Sequence, residues 1–171
     1  MKHLFILIAV ICAATSCMAQ STNSESTTTS RSKPVRGIQM SISMANNVVA
    51  AGSSFFVTIE ITNSSTNSLR MAETAPEGIF TVVLADGFRR TYQLTRSSEF
   101  FNRSLVSYLE PGQSRTWIIH VDVNQYFESP GLVPTNQDVP PGEYLLKAIG
   151  GFRFKNGTAV GLESDLKVQI K

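Results

Sequence analysis

From Thr116 to Val123 the chain reads TWIIHVDV, with Trp117, Ile119, Val121 and Val123 on every second position and Thr116, Ile118, His120 and Asp122 between them. A period of two sorts side chains onto the two faces of a β-strand, whereas one face of a helix needs a period near 3.6. Trp117 is therefore expected in a core, and His120 on the outward face, where a lone histidine is solvated rather than catalytic.

The same alternation recurs along the chain. Ile38, Met40, Ile42 and Met44 form one set, and Phe55, Val57, Ile59 and Ile61 another. Leu69 and Met71 mark a shorter strand, Leu105 to Leu109 a further one, and Leu166, Val168 and Ile170 the last. Tyr144, Leu146 and Ala148 are expected to face inward. Turn residues separate these runs: Ala51-Gly52-Ser53, Pro76 with Gly78, Glu110-Pro111-Gly112, Pro140-Pro141-Gly142 and Lys155-Asn156-Gly157-Thr158. In Glu110-Pro111-Gly112, proline presets φ for the first central position and glycine accepts φ > 0 at the second. Asn63-Ser64-Ser65 and Asn156-Gly157-Thr158 read as turn residues. Gly150-Gly151 suggests a bulge or kink.

Ile79 to Leu94 reads as a hairpin. A two-residue loop at Asp86-Gly87 would put Phe80, Val82 and Leu84 on the face of Arg89, Thr91 and Gln93. A three-residue loop at Ala85-Asp86-Gly87 puts them with Phe88, Tyr92 and Leu94, and has Gly87 left-handed. The hydrophobic pattern selects the second.

No segment carries a helical period. Seven to nine short strands, with turns every ten residues or so, predict an all-β, immunoglobulin-like two-sheet β-sandwich over residues 37–171. About 135 residues suffice for an independent core, since a domain near this size buries roughly two-thirds of its unfolded surface.

The first nineteen residues differ from the rest. Lys2 and His3 precede an unbroken apolar run from Leu4 to Ala14. That run is shorter than the ~20 residues needed to span a bilayer and suits a secretory signal peptide. Two processing sites compete. Ala19, with Cys17 two residues before it, offers a small-x-small cleavage site ahead of Gln20. Ala14-Thr15-Ser16-Cys17 resembles a bacterial lipoprotein box, with Cys17 as the lipidation site, although leucine is usual where Ala14 stands. Either route exports the protein, to the periplasm or medium, or to a lipid anchor on a membrane. Residues 20–36 are rich in Ser and Thr, lack aromatics, and read as a flexible spacer. Both cysteines, Cys12 and Cys17, fall in the leader, so the domain behind it relies on its core without disulfides.

Removing residues 1–19 leaves 14 Lys and Arg against 13 Asp and Glu. No run of like charge exceeds Arg89-Arg90, so the electrostatic footprint of a nucleic-acid binder is missing. Contact with a membrane is expected only through the lipid anchor.

Four segments, VTIEITNSSTNSL, FTVVLADGF, YLEPGQSRTW and VPPGEYLLKA, occur in an order similar to that of the bacterial intracellular proteinase inhibitor family, the BsuPI-type domains. The resemblance covers roughly Phe55 to Ile149. It implies an immunoglobulin-like scaffold and, for function, inhibition of a protease. It carries over no inhibitory residue. Export and a longer segment after Val123 depart from the family.

Catalysis is not expected. No G-x-S-x-G, H-E-x-x-H or Walker pattern occurs, the domain has no cysteine, and its carboxylates are scattered singly. No cofactor is expected. Asp122, Asn124, Glu128 and Asp138 offer oxygen ligands but no known calcium-loop spacing, so no metal is expected either. A binding module with a protein partner, a protease among the candidates, is the class that remains. Asn124 to Pro140 is the longest stretch without clean alternation, and long loops in compact domains carry contacts. Tyr126, Phe127 and Leu132 are its candidate partner-binding residues. The alternative is that these side chains cap an open end of the core.

Overall fold

The computed structural model describes residues 27–72, 80–87, 90–94, 106–127 and 134–171. Among them every regular element is a strand: β1 (Thr28–Arg31), β2 (Ile38–Met44), β3 (Val48–Val49), β4 (Ser54–Asn63), β5 (Leu69–Ala72), β6 (Phe80–Ala85), β7 (Thr91–Gln93), β8 (Val106–Leu109), β9 (Ser114–Asp122), β10 (Tyr126–Phe127), β11 (Pro134–Thr135), β12 (Gly142–Phe154) and β13 (Ala159–Ile170). One sheet runs β1-β2-β4-β9. The other runs β11-β10-β7-β6-β12-β13-β3, with β5 on the end of β12 and β8 on β5. The pairings are antiparallel, except that β3 lies parallel to β13. This is the immunoglobulin-like two-sheet sandwich that the alternation predicts. It has more strands than seven to nine because β3, β10 and β11 are only two residues long and β1 falls in the stretch read as spacer.

The core lies between the inward faces. Ile38, Met40, Ile42, Val57, Ile59, Ile61, Ile119 and Val121 come from the first sheet, and Val82, Leu84, Leu146, Ala148, Leu166 and Val168 from the second. Trp117 is buried, as its phase requires, with Phe80 edge-on at 5.2 Å between centroids and Phe152 edge-on to Phe80 at 6.0 Å.

Gly150 explains the room for these rings. It faces inward in phase with Ala148 and Phe152, and a Cβ there would stand 2.9 Å from the Phe152 ring and 3.1 Å from that of Phe80. Gly150-Gly151 is therefore no bulge. β12 runs through both residues in unbroken register, Gly150 opposite Leu162 and Gly151 opposite Gly161. At Gly150 the glycine makes room for two rings rather than bending the strand.

Three further expectations change. The sheet begins at Thr28 rather than Gly37, because Thr28–Arg31, read as spacer, pair with β2 from Thr28↔Met44 to Arg31↔Ser41. Backbone hydrogen bonding recruits this polar strand, and side-chain alternation carries no trace of that. The β6–β7 hairpin keeps the expected faces but not the expected loop. Leu84 pairs with Tyr92, and Asp86 N–H donates to the Arg90 carbonyl at 3.0 Å. Gly87 is not among the left-handed residues, and Phe88 lies outside the described residues. Sliding a strand by an even number of residues leaves every face unchanged, so the pattern could not tell the two registers apart. Finally, the Asn124–Pro140 stretch contains β10 and β11, which pair with each other and extend the second sheet at Phe127↔Gln93.

Candidate interaction surface at one end of the sandwich

The turn Ala50-Ala51-Gly52-Ser53 forms because Gly52, at φ 69, takes the position a side chain resists, letting Ser53 N–H reach the Ala50 carbonyl at 3.2 Å. Several segments converge on it. Ala51 N–H donates to the Lys171 carbonyl at 2.6 Å, and Lys171 N–H to the Val49 carbonyl at 2.9 Å. Val123 N–H donates to the Ser53 carbonyl at 3.0 Å, and Val139 N–H to the Val123 carbonyl at 2.8 Å. The Asp138 carboxylate lies against Gly52, 3.4 Å from where a Cβ would stand. The base of the Asn124–Pro140 segment is thereby pinned to this end of the molecule.

Beside this turn, the outward face of β4 and β9 carries an apolar pair. Register places Phe56 opposite His120 and Thr58 opposite Ile118, so Phe56 and Ile118 are diagonal neighbours. They are 63% and 64% exposed. The His120 ring packs against Phe56 at 5.2 Å, tilted by 56°. Its Nδ1 is 3.8 Å from the Asp122 carboxylate, a pair that becomes ionic only when the imidazole is protonated. Gln125 Nε2 donates to the other Asp122 oxygen at 3.5 Å.

Two hollows flank the β3 segment. One, of ≈ 300 Å³, is walled by Met44, Val48, Ala50, Phe55 and Phe56. The other, of ≈ 450 Å³, crosses the outward face of the second sheet between Val48, Asp86, Glu143, Leu145, Lys167 and Gln169. Val48 belongs to both walls.

Of the residues singled out by sequence, Tyr126 is half-buried and packs against the core, its ring edge-on to Tyr92 at 5.0 Å. Phe127 is half-buried in β10. Leu132 and Cys17 lie outside the described residues. Phe56 and Ile118 were not singled out, though the signal was present: each is a large apolar residue in the polar phase of its strand.

The two sheets and their inward faces define the class: an all-β, immunoglobulin-like sandwich. No family model matches the chain, and no curated protein matches it. Among solved structures, a putative ApaA protein from Bordetella pertussis is 11% identical over 84% of this chain and 89% of its own, with a TM-score of 0.38. The ASH/PapD-like domain 7 of human CEP192 is 10% identical over 99% of this chain and 98% of its own, at 0.36. A β-glucosidase from Listeria innocua is 14% identical over 78% of this chain, which spans only 16% of that enzyme, at 0.41. Likenesses this distant add nothing to the fold already defined by the two sheets.

Proposed function

We propose that this protein is an exported, non-catalytic interaction module of the bacterial cell envelope, which holds a protein partner at the Gly52 end of its sandwich. The observation that carries this reading is the exposed Phe56–Ile118 pair. Phe56 and Ile118, neighbours on adjacent strands and more than 60% open to water, are the most exposed of the large apolar side chains described, and would supply the anchor that a protein interface needs. The base of the Asn124–Pro140 segment is pinned at the same end, where the half-buried Phe127 and the outer edge of Tyr126 would add contacts; Leu132 stays a candidate on the sequence reading alone. Export rests on the apolar Leu4–Ala14 run and the lipoprotein-like Cys17.

Catalysis finds little support here. The cross-strand neighbour of His120 is the Phe56 ring, and the residue opposite Asp122 is Ser54. A hydroxyl in that position neighbours the carboxylate and not the imidazole, which is the wrong order for activating a nucleophile. Inhibition of a protease is the second reading, favoured by the resemblance to BsuPI-type domains, with the same end as the inhibitory surface.

A photoactivatable cross-linking residue at position 118, compared with one at position 147 on the outward face of the second sheet, tests the proposal in envelope preparations. The expected result is a discrete protein adduct at 118 that disappears with Phe56→Ser, and none at 147. Identical adducts at both positions, or none at 118, would overturn it. A protease panel decides the second reading: stoichiometric inhibition of one protease, lost with Phe56→Ser, would favour inhibition.

A further inference from the structure

Strand β1 combines three properties. It is an outermost strand, held within its sheet by β2 alone. Its side chains are polar, half-buried at Thr28 and Ser30 and exposed at Thr29 and Arg31, so its departure uncovers no apolar side chain of its own. The turn that joins it to β2 is strained. Val35 and Ile38 exchange backbone hydrogen bonds of 2.8 and 2.9 Å, and between them stand Arg36 at φ 52 and Gly37 at φ 81. A two-residue turn with φ > 0 at both central positions suits Asn-Gly. Arg36 is the one non-glycine residue with positive φ among those described, and a side chain with a Cβ is disfavoured there.

The register adds a symmetry. Thr28↔Met44, Thr29↔Ser43, Ser30↔Ile42 and Arg31↔Ser41 are all equidistant in the chain from position 36. When the turn opens into extended chain, the same four pairs form between β1 of one molecule and β2 of a second, antiparallel, with the two copies of position 36 meeting on the two-fold axis. We propose that β1 is an exchangeable strand, and that the partner it fits is a second copy of this chain.

The inward side chains of β2 stay where they are in either form. Ile38, Met40 and Ile42 are fully buried with β1 in place, and an exchanged β1 restores the same cover. The balance is set at the hinge. Opening releases the left-handed Arg36, and a short, strained hinge favours exchange. Against it stand the entropy of association and two guanidinium groups brought face to face, and like charges directly opposite repel. The two forms are therefore separated by protein concentration and by the hinge, where opening relieves Arg36 but gives up the Val35–Ile38 hydrogen bonds and disturbs the one from Ser64 N–H to the Gly37 carbonyl.

Thr29→Cys with Ser43→Cys, in a full chain carrying Cys12→Ser and Cys17→Ser, reads the exchange directly. These register partners form a disulfide within one chain when the hairpin is closed and between two chains when it is exchanged. The fraction of covalent dimer on a non-reducing gel should rise with protein concentration before oxidation. Arg36→Val, β-branched and uncharged, should raise it several-fold. Arg36→Asn, which creates the Asn-Gly turn, should reduce it to near nothing. Added salt should raise the dimer fraction of the Arg36 chain and leave that of the Val variant unchanged. Far-ultraviolet circular dichroism checks that each variant is folded. If the Val variant does not fold, the Arg36 chain against Arg36→Asn decides. Purely intrachain disulfide at every concentration, or a dimer fraction indifferent to residue 36, would overturn the proposal.

Discussion

Asn63 is the residue on which local structure leans most. It ends β4 with its side chain wholly out of water. Its amide nitrogen donates to the carbonyls of Leu109 at 2.8 Å and Asn67 at 2.9 Å, and its oxygen accepts from Ser65 N–H at 3.0 Å and Ser65 Oγ at 2.6 Å. Both donors and both lone pairs of the carboxamide are thus used, tying the β4–β5 loop to the end of β8. The sequence marked Asn63-Ser64-Ser65 as a turn, but nothing local to it could reveal a bond across 46 residues to Leu109. Asn63→Ala strands these partners, and each buried polar group left unpaired costs about 1–3 kcal/mol. The expected loss is at least about 2 kcal/mol, read as a lower urea midpoint at an unchanged m-value.

Among the elements, the start of β12 shows how a turn and a strand support each other. Pro140 and Gly142 bring the chain round, and Tyr144 donates its phenolic hydrogen to the Pro140 carbonyl at 2.7 Å, a corner typical of this fold class. Its ring is edge-on to Tyr92 at 5.9 Å. Burial, and then the neighbouring Tyr92 and Asp86, raise the Tyr144 pKa above its usual 10.0, with Arg90 opposing. A group that holds its proton more tightly when folded contributes stability that is complete below pH 10 and is lost as pH rises through the folded value. Tyr144→Phe is expected to cost about 1 kcal/mol at neutral pH and to flatten the decline of stability as pH rises above the usual tyrosine value of 10.0, measured by denaturant melts. Lys147 also holds its proton more tightly, through its hydrogen bond to Glu163, but it does so in both proteins and cancels in the comparison. The turns themselves were legible. Gly112 takes φ 82, and Gln113 N–H reaches the Glu110 carbonyl at 3.1 Å, as Pro-Gly at the central positions requires. Two-residue strands such as β10 and β11 were not, because alternation needs more positions than they have.

For the whole molecule, the prediction concerns its route. On the export reading, mass spectrometry of the mature protein should find an N-terminus at a lipidated Cys17 or at Gln20, and not at Met1. In the first case Cys17→Ser moves the protein from membrane to soluble fractions; in the second it changes nothing. An intact Met1 in the mature protein would overturn both. The period-two pattern, read without any structure, determined the class of fold and the inward phase of β2, β4, β9, β12 and β13, because water sorts each strand's side chains by face wherever one face is buried. Tertiary structure decided the rest. It added polar β1 to the sheet, carried the chain from β2 in one sheet to β3 in the other, slid the β6–β7 hairpin by an even step, and placed Phe56 and Ile118 on one open face. Those choices are made by backbone hydrogen bonds and by neighbours distant in the chain, and side-chain periodicity is blind to both.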